Sequence, residues 1–209
     1  GILAFHWVAF FQSIQLATVA VGVLTFATFP VFTVLLAPIF LKEKILLQDL
    51  GLAILTFIGV VIVVPLGELS GNYALGVIWG LASGASFALL SLINKLWVKQ
   101  YSANKTALLQ NLGAAICLLP FAFISHWELR PIQFGYWLLL GIVFTGLSHR
   151  LFIASLRHIK AQTVSIIAAL EPVYGIFWAL ALLGEIPVLR ELLGGLVILM
   201  AAGLAMWRS

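Results

Sequence analysis

Charge is scarce in this chain. Its 209 residues include only eleven Lys and Arg and seven Asp and Glu, 9% of the total, where soluble domains run near about 25%. So few ionic side chains cannot wet the surface of a soluble fold this large. A soluble enzyme, a nucleic-acid-binding protein and a disordered linker are therefore poor readings. The net charge of +4 does not point to nucleic acid either, because the basic residues sit between apolar runs. Cysteine is almost missing: Cys117 stands alone, so no intrachain disulfide forms and no redox compartment can be read. The sequence has no phosphate loop, no paired metal-ligand motif, no nucleophile elbow and no soluble segment that could house an ATPase. Any driving force must come from gradients, and no cofactor or metal is expected. Apolar–polar alternation is lacking too, since runs such as ILLQDLGLAILTFIGVVIVV are continuous, which excludes a β-barrel. The chain opens with Gly1 and shows no signal-peptide pattern, and it reads as a fragment.

What fills the space is apolar side chain, 63% of the sequence against roughly 45–50% in soluble domains. The class expected is an all-α polytopic membrane protein whose outer surface is covered by lipid. Apolar runs between charged and turn residues give eight transmembrane segments, at approximately 1–14, 17–41, 46–65, 73–98, 103–125, 132–156, 159–183 and 187–207. The breaks fall at Lys42–Glu43–Lys44, at GELSGN (67–72) and at HWELRP (126–131), and Pro187 opens the last helix, where its missing N–H costs nothing. Counted by alternate loops, one side of the membrane receives eight basic residues, from Lys42, Lys44 and Lys95 through Arg157 and Lys160 to Arg208. The other side receives Arg130 and Arg190. The positive-inside rule puts the first side, and both ends of the chain, in the cytoplasm.

An internal repeat emerges when the chain is slid on itself by 142 residues. Phe10 then meets Phe152, Ser13 meets Ser155, Pro30 meets Pro172 and Glu43 meets Glu185. Five helices separate equivalent positions, and an odd number inverts the unit, as in many secondary transporters. Residues 1–66 supply the last three helices of a first repeat and 73–207 a complete second repeat of five, so two helices of about 70 residues are expected to be missing.

With its mid-helix proline and a glutamate at the helix end, most specifically in LEPVYGIFWALALLGE (170–185) and GGLVILMAAGLAM (194–206), this repeat resembles the EamA-type unit of the drug/metabolite transporter superfamily. The resemblance covers essentially the whole chain. It implies a ten-helix (5+5) inverted-repeat carrier that exports or exchanges small metabolites, amino acids or drugs across a bacterial inner membrane, without naming the cargo.

Several residues are expected at the substrate site. Glu171 lies at the centre of its segment, where an ionised carboxylate costs at least about 2.5–3.5 kcal/mol unless it faces a cavity or partner. It is either a proton- or cation-responsive pathway group or a hydrogen-bonded structural carboxylate at the Pro172 kink. Its repeat counterpart, Phe29, is not acidic. Pro30 and Pro172 free the carbonyls of Phe26 and Ala168, as static bends or hinges. Thr145, Ser148 and His149 share one helical face and must look into the protein; His149 is a substrate contact or an interhelical histidine. His6 stands opposite Ser148 in the repeat. Gly76, Gly80 and Gly84 form a packing stripe beside Ser83 and Ser86, and Ser86 is a pocket candidate. Gln110 and Asn111 read as helix glue first and substrate contacts second. Tyr174, one turn beyond Glu171, could stack on a cargo, and Arg150 is expected to snorkel to the basic side.

The leading function is a secondary transporter working by alternating access, an exporter first, with a small molecule and the lipid bilayer as its partners and no nucleic acid. An uptake or exchange carrier, an intramembrane enzyme using Glu171, His149 and Ser148, and a membrane scaffold or sensor are the alternatives. Oligomeric state, a homo-oligomer included, stays open.

Overall fold

The computed structural model describes residues 1–42, 44–63, 71–124, 131–178, 180–181, 186 and 188–207. Among these residues the fold is helical throughout, with no strand. In order come α1 (Ile2–Leu16), α2 (Val19–Phe26), α3 (Phe29–Leu41), α4 (Leu47–Val63), α5 (Gly71–Trp97) and α6 (Ala103–Ile124). Next are α7 (Pro131–Leu139), a wider π-helical stretch (Leu140–Leu147), α8 (Ser148–Ser155), α9 (Ala161–Ala168), α10 (Glu171–Trp178) and α11 (Leu189–Trp207). Expectations resting on Glu43, Gly184, Glu185 and Pro187, on most of the 67–72 and 126–131 breaks, and on Arg130 and Arg208 lie outside the described residues.

Among the described residues four stretches are long and apolar enough to cross a bilayer: Val21–Leu41, Gly71–Trp97, Ala103–Phe123 and Pro131–Ser155. Ile2–Leu16, Leu47–Ile62 and Leu192–Trp207 are shorter apolar helices. Leu108, Ile116, Phe123 and Phe134 are more than half exposed, a surface that only lipid can cover. The protein is a polytopic helical membrane protein.

The segments expected to be continuous over 17–41 and 159–183 are each interrupted. The chain leaves the helix at Ala27–Thr28 and again at Ala169–Leu170. Pro30 and Pro172 do not kink helix interiors; each is the second residue of the helix that restarts. There the absent N–H would have had no intrahelical acceptor, so the proline fits without loss. The helix starts keep the same register throughout: α9 begins 142 residues after α2, α10 after α3, and α11 after α4.

Helix α5 is the hub and packs on α1, α2 and α3, while α4 packs along α11. Its glycine stripe makes this possible. A Cβ on Gly76 would lie 2.7 Å from the Ala17 Cβ, and one on Gly84 would lie 3.1 Å from the Phe26 carbonyl, at the end of α2. Two of the apolar clusters join most of the helices. One joins α2, α4, α9 and α11 around Leu24, Leu52, Ile166 and Ile198; the other joins α3, α5, α6, α8 and α9 around Leu92, Ile153 and Leu156.

At one end the α5–α6 and α8–α9 turns are clamped together. Lys95 Nζ donates to the carbonyls of Leu156 (2.7 Å) and Ile159 (2.8 Å), and the Arg157 guanidinium donates to the Val98 carbonyl (3.0 Å). Each helix end is thus capped by a cation from the other, where the dipole favours positive charge. Arg150 donates to Asn104 Oδ1 on the first turn of α6, reaching toward this basic end as expected.

Candidate functional site

Two buried histidine arrangements flank α5. His6, on α1, has its Nδ1 2.8 Å from Ser83 Oγ and 3.1 Å from the Ser83 carbonyl, and Ser83 Oγ lies 3.3 Å from the His6 carbonyl. Either Nδ1–H donates to the Ser83 carbonyl, or Nδ1 accepts from the hydroxyl; both ties run between the same two helices. Ser83 is fully buried, so this serine–histidine pair joins α1 to α5 and does not present a nucleophile. Ser86, half-buried, turns its hydroxyl back onto the Ser83 carbonyl at 2.8 Å.

His149 is also buried. Its Nε2 lies 2.8 Å from Gln110 Oε1, which can only accept, so Nε2 carries the proton. Gln110 Nε2 in turn donates to Asn94 Oδ1 at 2.5 Å. This chain of amides ties α5, α6 and α8 together, and Gln110 is the interhelical connector that its depth suggested. Asn111 next to it is half-buried, and its Oδ1 accepts no hydrogen bond among the described residues.

Phenylalanines run from His6 to the helix that carries His149. The His6 ring lies 4.9 Å from Phe87 and 5.2 Å from Phe26, centroid to centroid. Phe26 stacks on Phe29 at 5.2 Å, and Phe87 reaches Phe152 at 5.0 Å, one turn beyond His149. This aromatic floor lies on the α2–α3 break. The sequence carries one signal for it: Phe10 and Phe152 are repeat partners, and Phe10 packs on Phe26 at 5.8 Å.

Two expectations are corrected by the geometry. The Thr145–Ser148–His149 stripe does not face inward as a unit. The π stretch ending at Leu147 widens the turn, so Ser148 is exposed with its hydroxyl 3.2 Å from the Val143 carbonyl, five residues back. Glu171 is not in mid-helix; it occupies the first turn of α10, where the helix dipole favours a carboxylate. Glu171 and Tyr174 are both exposed, and among the described residues no hydrogen bond or ring contact joins them to either histidine. Among the described residues no group of three or more His, Cys, Asp or Glu is placed to hold a metal.

Interrupted helices in matching register, buried polar ties between helices and an apolar outer surface define a membrane protein of the carrier type. Residues 1–64 and 74–207 match the EamA-like transporter family, and the chain belongs to it. It is 28% identical to an uncharacterized transporter, YxxF, of Bacillus subtilis, over 98% of this chain and 66% of that protein. It is 26% identical to an S-adenosylmethionine uptake transporter of Rickettsia conorii, over 95% of this chain and 66% of the relative. The chain therefore spans slightly under two thirds of each relative's length. A solved crystal structure shares the fold, with a TM-score of 0.83 at 15% identity, covering all of this chain and 74% of the other.

Proposed function

We propose that this chain forms most of a secondary carrier that moves a small organic solute across a bacterial inner membrane by alternating access between two inverted repeats, in the direction of export. The observation that carries the reading is the pair of helix breaks at Ala27–Thr28 and Ala169–Leu170, 142 residues apart. Each break ends one short helix and starts another at buried positions inside the bundle, and paired interrupted helices are the device around which carriers build their sites. On this reading residues 1–66 belong to the first repeat and 73–207 to the second. Pro30 and Pro172 start the half-helices that move, and the basic end of the bundle, with both chain ends, faces the cytoplasm.

His6, Ser86, Asn111, Ser148, His149, Glu171 and Tyr174 are the proposed lining of the pathway. Among the described residues Asn111 offers an unpaired acceptor and Glu171 a carboxylate in no ion pair, and the phenylalanine floor gives a surface for an apolar or planar solute. Transport, not catalysis, is the assigned activity. Uptake is a second reading, favoured by the name of the Rickettsia relative.

Flux of the full-length protein in proteoliposomes tests the proposal. Glu171→Gln preserves shape and removes charge, so flux driven by a pH gradient should fall at least tenfold, whereas exchange without net proton movement should persist. Unchanged pH dependence in a folded Glu171→Gln protein would reduce Glu171 to a structural residue. Absence of saturable flux of any amino acid, drug or S-adenosylmethionine in either direction would overturn the carrier assignment.

A further inference from the structure

A cavity of about 380 Å³ opens at the basic end of the bundle, lined by none of the residues assigned to the pathway. That volume lies within the roughly 300–1,000 Å³ typical of small-molecule sites. Its walls come from the start of α4, the α8–α9 turn, the first turns of α9 and the end of α11. Toward the protein interior it is closed by Leu52 and Ile166, which belong to the α2–α4–α9–α11 core.

Among the described residues the five polar side chains on this wall, Gln48, Asp49, His158, Lys160 and Thr163, form no hydrogen bond or ion pair with protein. Thr163, in the first turn of α9, lines the cavity and is only 8% exposed. Its hydroxyl makes no hydrogen bond to protein among the described residues, and a polar group on a cavity wall is free to bind what enters. Lys160, at the N-cap of the same helix, has extended backbone and no side-chain cap. The positive end of the helix dipole therefore faces the cavity beside the ammonium. His158 lines the same side. Across the sequence, on the first turn of α4, Asp49 contributes a carboxylate. Among the described residues Asp49 forms no ion pair with Lys160, although both line one cavity.

A wall holding unpaired charges of both signs is complementary to a ligand that itself carries both. The cation, the helix N-terminus and the Thr163 hydroxyl together make an anion site of the kind phosphate fills; Asp49 takes a cation. The rim sets the depth. Leu46 lines the cavity, and beside it Leu47 is 84% exposed, apolar surface at a helix end that belongs in the acyl boundary of a bilayer.

We infer that this cavity binds a phosphate ester bearing a primary ammonium, the chemistry of an ethanolamine phospholipid headgroup. Thr163, Lys160 and the α9 N-terminus hold the phosphate, and Asp49 accepts hydrogen bonds from the ammonium. A choline headgroup lacks N–H donors for Asp49, and a glycerol headgroup lacks the positive charge. The site does not rest on the transport assignment, because it uses other residues and binding is read without flux.

The test is lipid binding to the purified chain in detergent. The probes are short-chain phosphatidylethanolamine, phosphatidylcholine and phosphatidylglycerol, with free phosphoethanolamine as a competitor. Phosphatidylethanolamine should bind at least tenfold tighter than the other two lipids. Thr163→Val, nearly isosteric, and Lys160→Gln should each weaken it at least fivefold. Asp49→Asn should abolish the preference for ethanolamine over choline, while Lys99→Gln, outside the cavity, should leave binding unchanged. Competition by phosphoethanolamine with the same dependence on Thr163, Lys160 and Asp49 would support the site and show that a soluble ester suffices. Failure to compete, with lipid binding intact, would assign it to the lipid. Equal affinity for all three lipids by the unmodified chain overturns the proposal without recourse to any variant. So would variants that fold and bind phosphatidylethanolamine as the unmodified chain does.

Discussion

Adding one methyl group at Gly80 should separate the central helices. A Cβ there would fall 1.7 Å from Thr25 Oγ1, 2.7 Å from Thr25 Cβ and 2.8 Å from Ser13 Oγ, where carbon atoms pack best at about 3.5–4 Å. Thr25 cannot simply turn away, because its hydroxyl donates to the Val21 carbonyl at 2.6 Å. Either that bond breaks or α5 withdraws by about 1 Å from α1 and α2, loosening contacts around the fully buried Ser13, Val21 and Ser83. Overpacking of this kind costs about 1–3 kcal/mol, and two contacted helices put Gly80→Ala near the upper limit. The helix propensity of alanine returns up to about 1 kcal/mol, so the net loss is about 2 kcal/mol. Gly113 is the control. It is also helical, but a Cβ there meets nothing within 4 Å, so Gly113→Ala should gain up to about 1 kcal/mol. Denaturation in mixed micelles, followed by tryptophan fluorescence, should therefore separate the two variants by about 3 kcal/mol. Thr25→Ala added to Gly80→Ala should recover only part of the loss, since the β-carbon contact persists. A Gly80→Ala protein as stable as Gly113→Ala would refute the packing argument.

Gln110→Leu should cost about 2 kcal/mol, because it strands buried Asn94 and His149 together. Combined with His149→Phe, the loss should be clearly less than additive in the same unfolding assay. Lys95→Met removes the donor to two carbonyls at the end of α8 and should cost about 2 kcal/mol; amide exchange should rise at His158 and Ile159, which donate to the Ser155 carbonyl, and protection equal to the unmodified protein would show that the clamp contributes nothing. Cysteines replacing Glu43 and Glu128, in a Cys117→Ala background, should react with impermeant thiol reagents from opposite sides of the membrane. Labelling from one side would remove the inverted orientation of the repeats.

The scarcity of charge and the continuity of the apolar runs determined by themselves that the chain is helical and lives in a bilayer, since no soluble surface can be built from 9% charged residues. The 142-residue spacing of matching residues recurs in the helix starts of α2 and α9, α3 and α10, and α4 and α11, although the sequence had α3 and α10 as continuations of the helices before them. Local sequence could not say whether Pro30 and Pro172 bend a helix or begin one, because a proline is compatible with both. In the fold each begins one, and at the first break α5 comes close through Gly84, where a Cβ would lie 3.1 Å from the Phe26 carbonyl. Nor could helical periodicity place Ser148, because a π stretch five residues long or more shifts every later side chain around the axis. Which partner a buried polar group takes depends on the rotation and approach of a second helix. The Ser83–His6 tie, the Asn94–Gln110–His149 chain and the unpaired groups around Thr163 therefore came only from the tertiary structure.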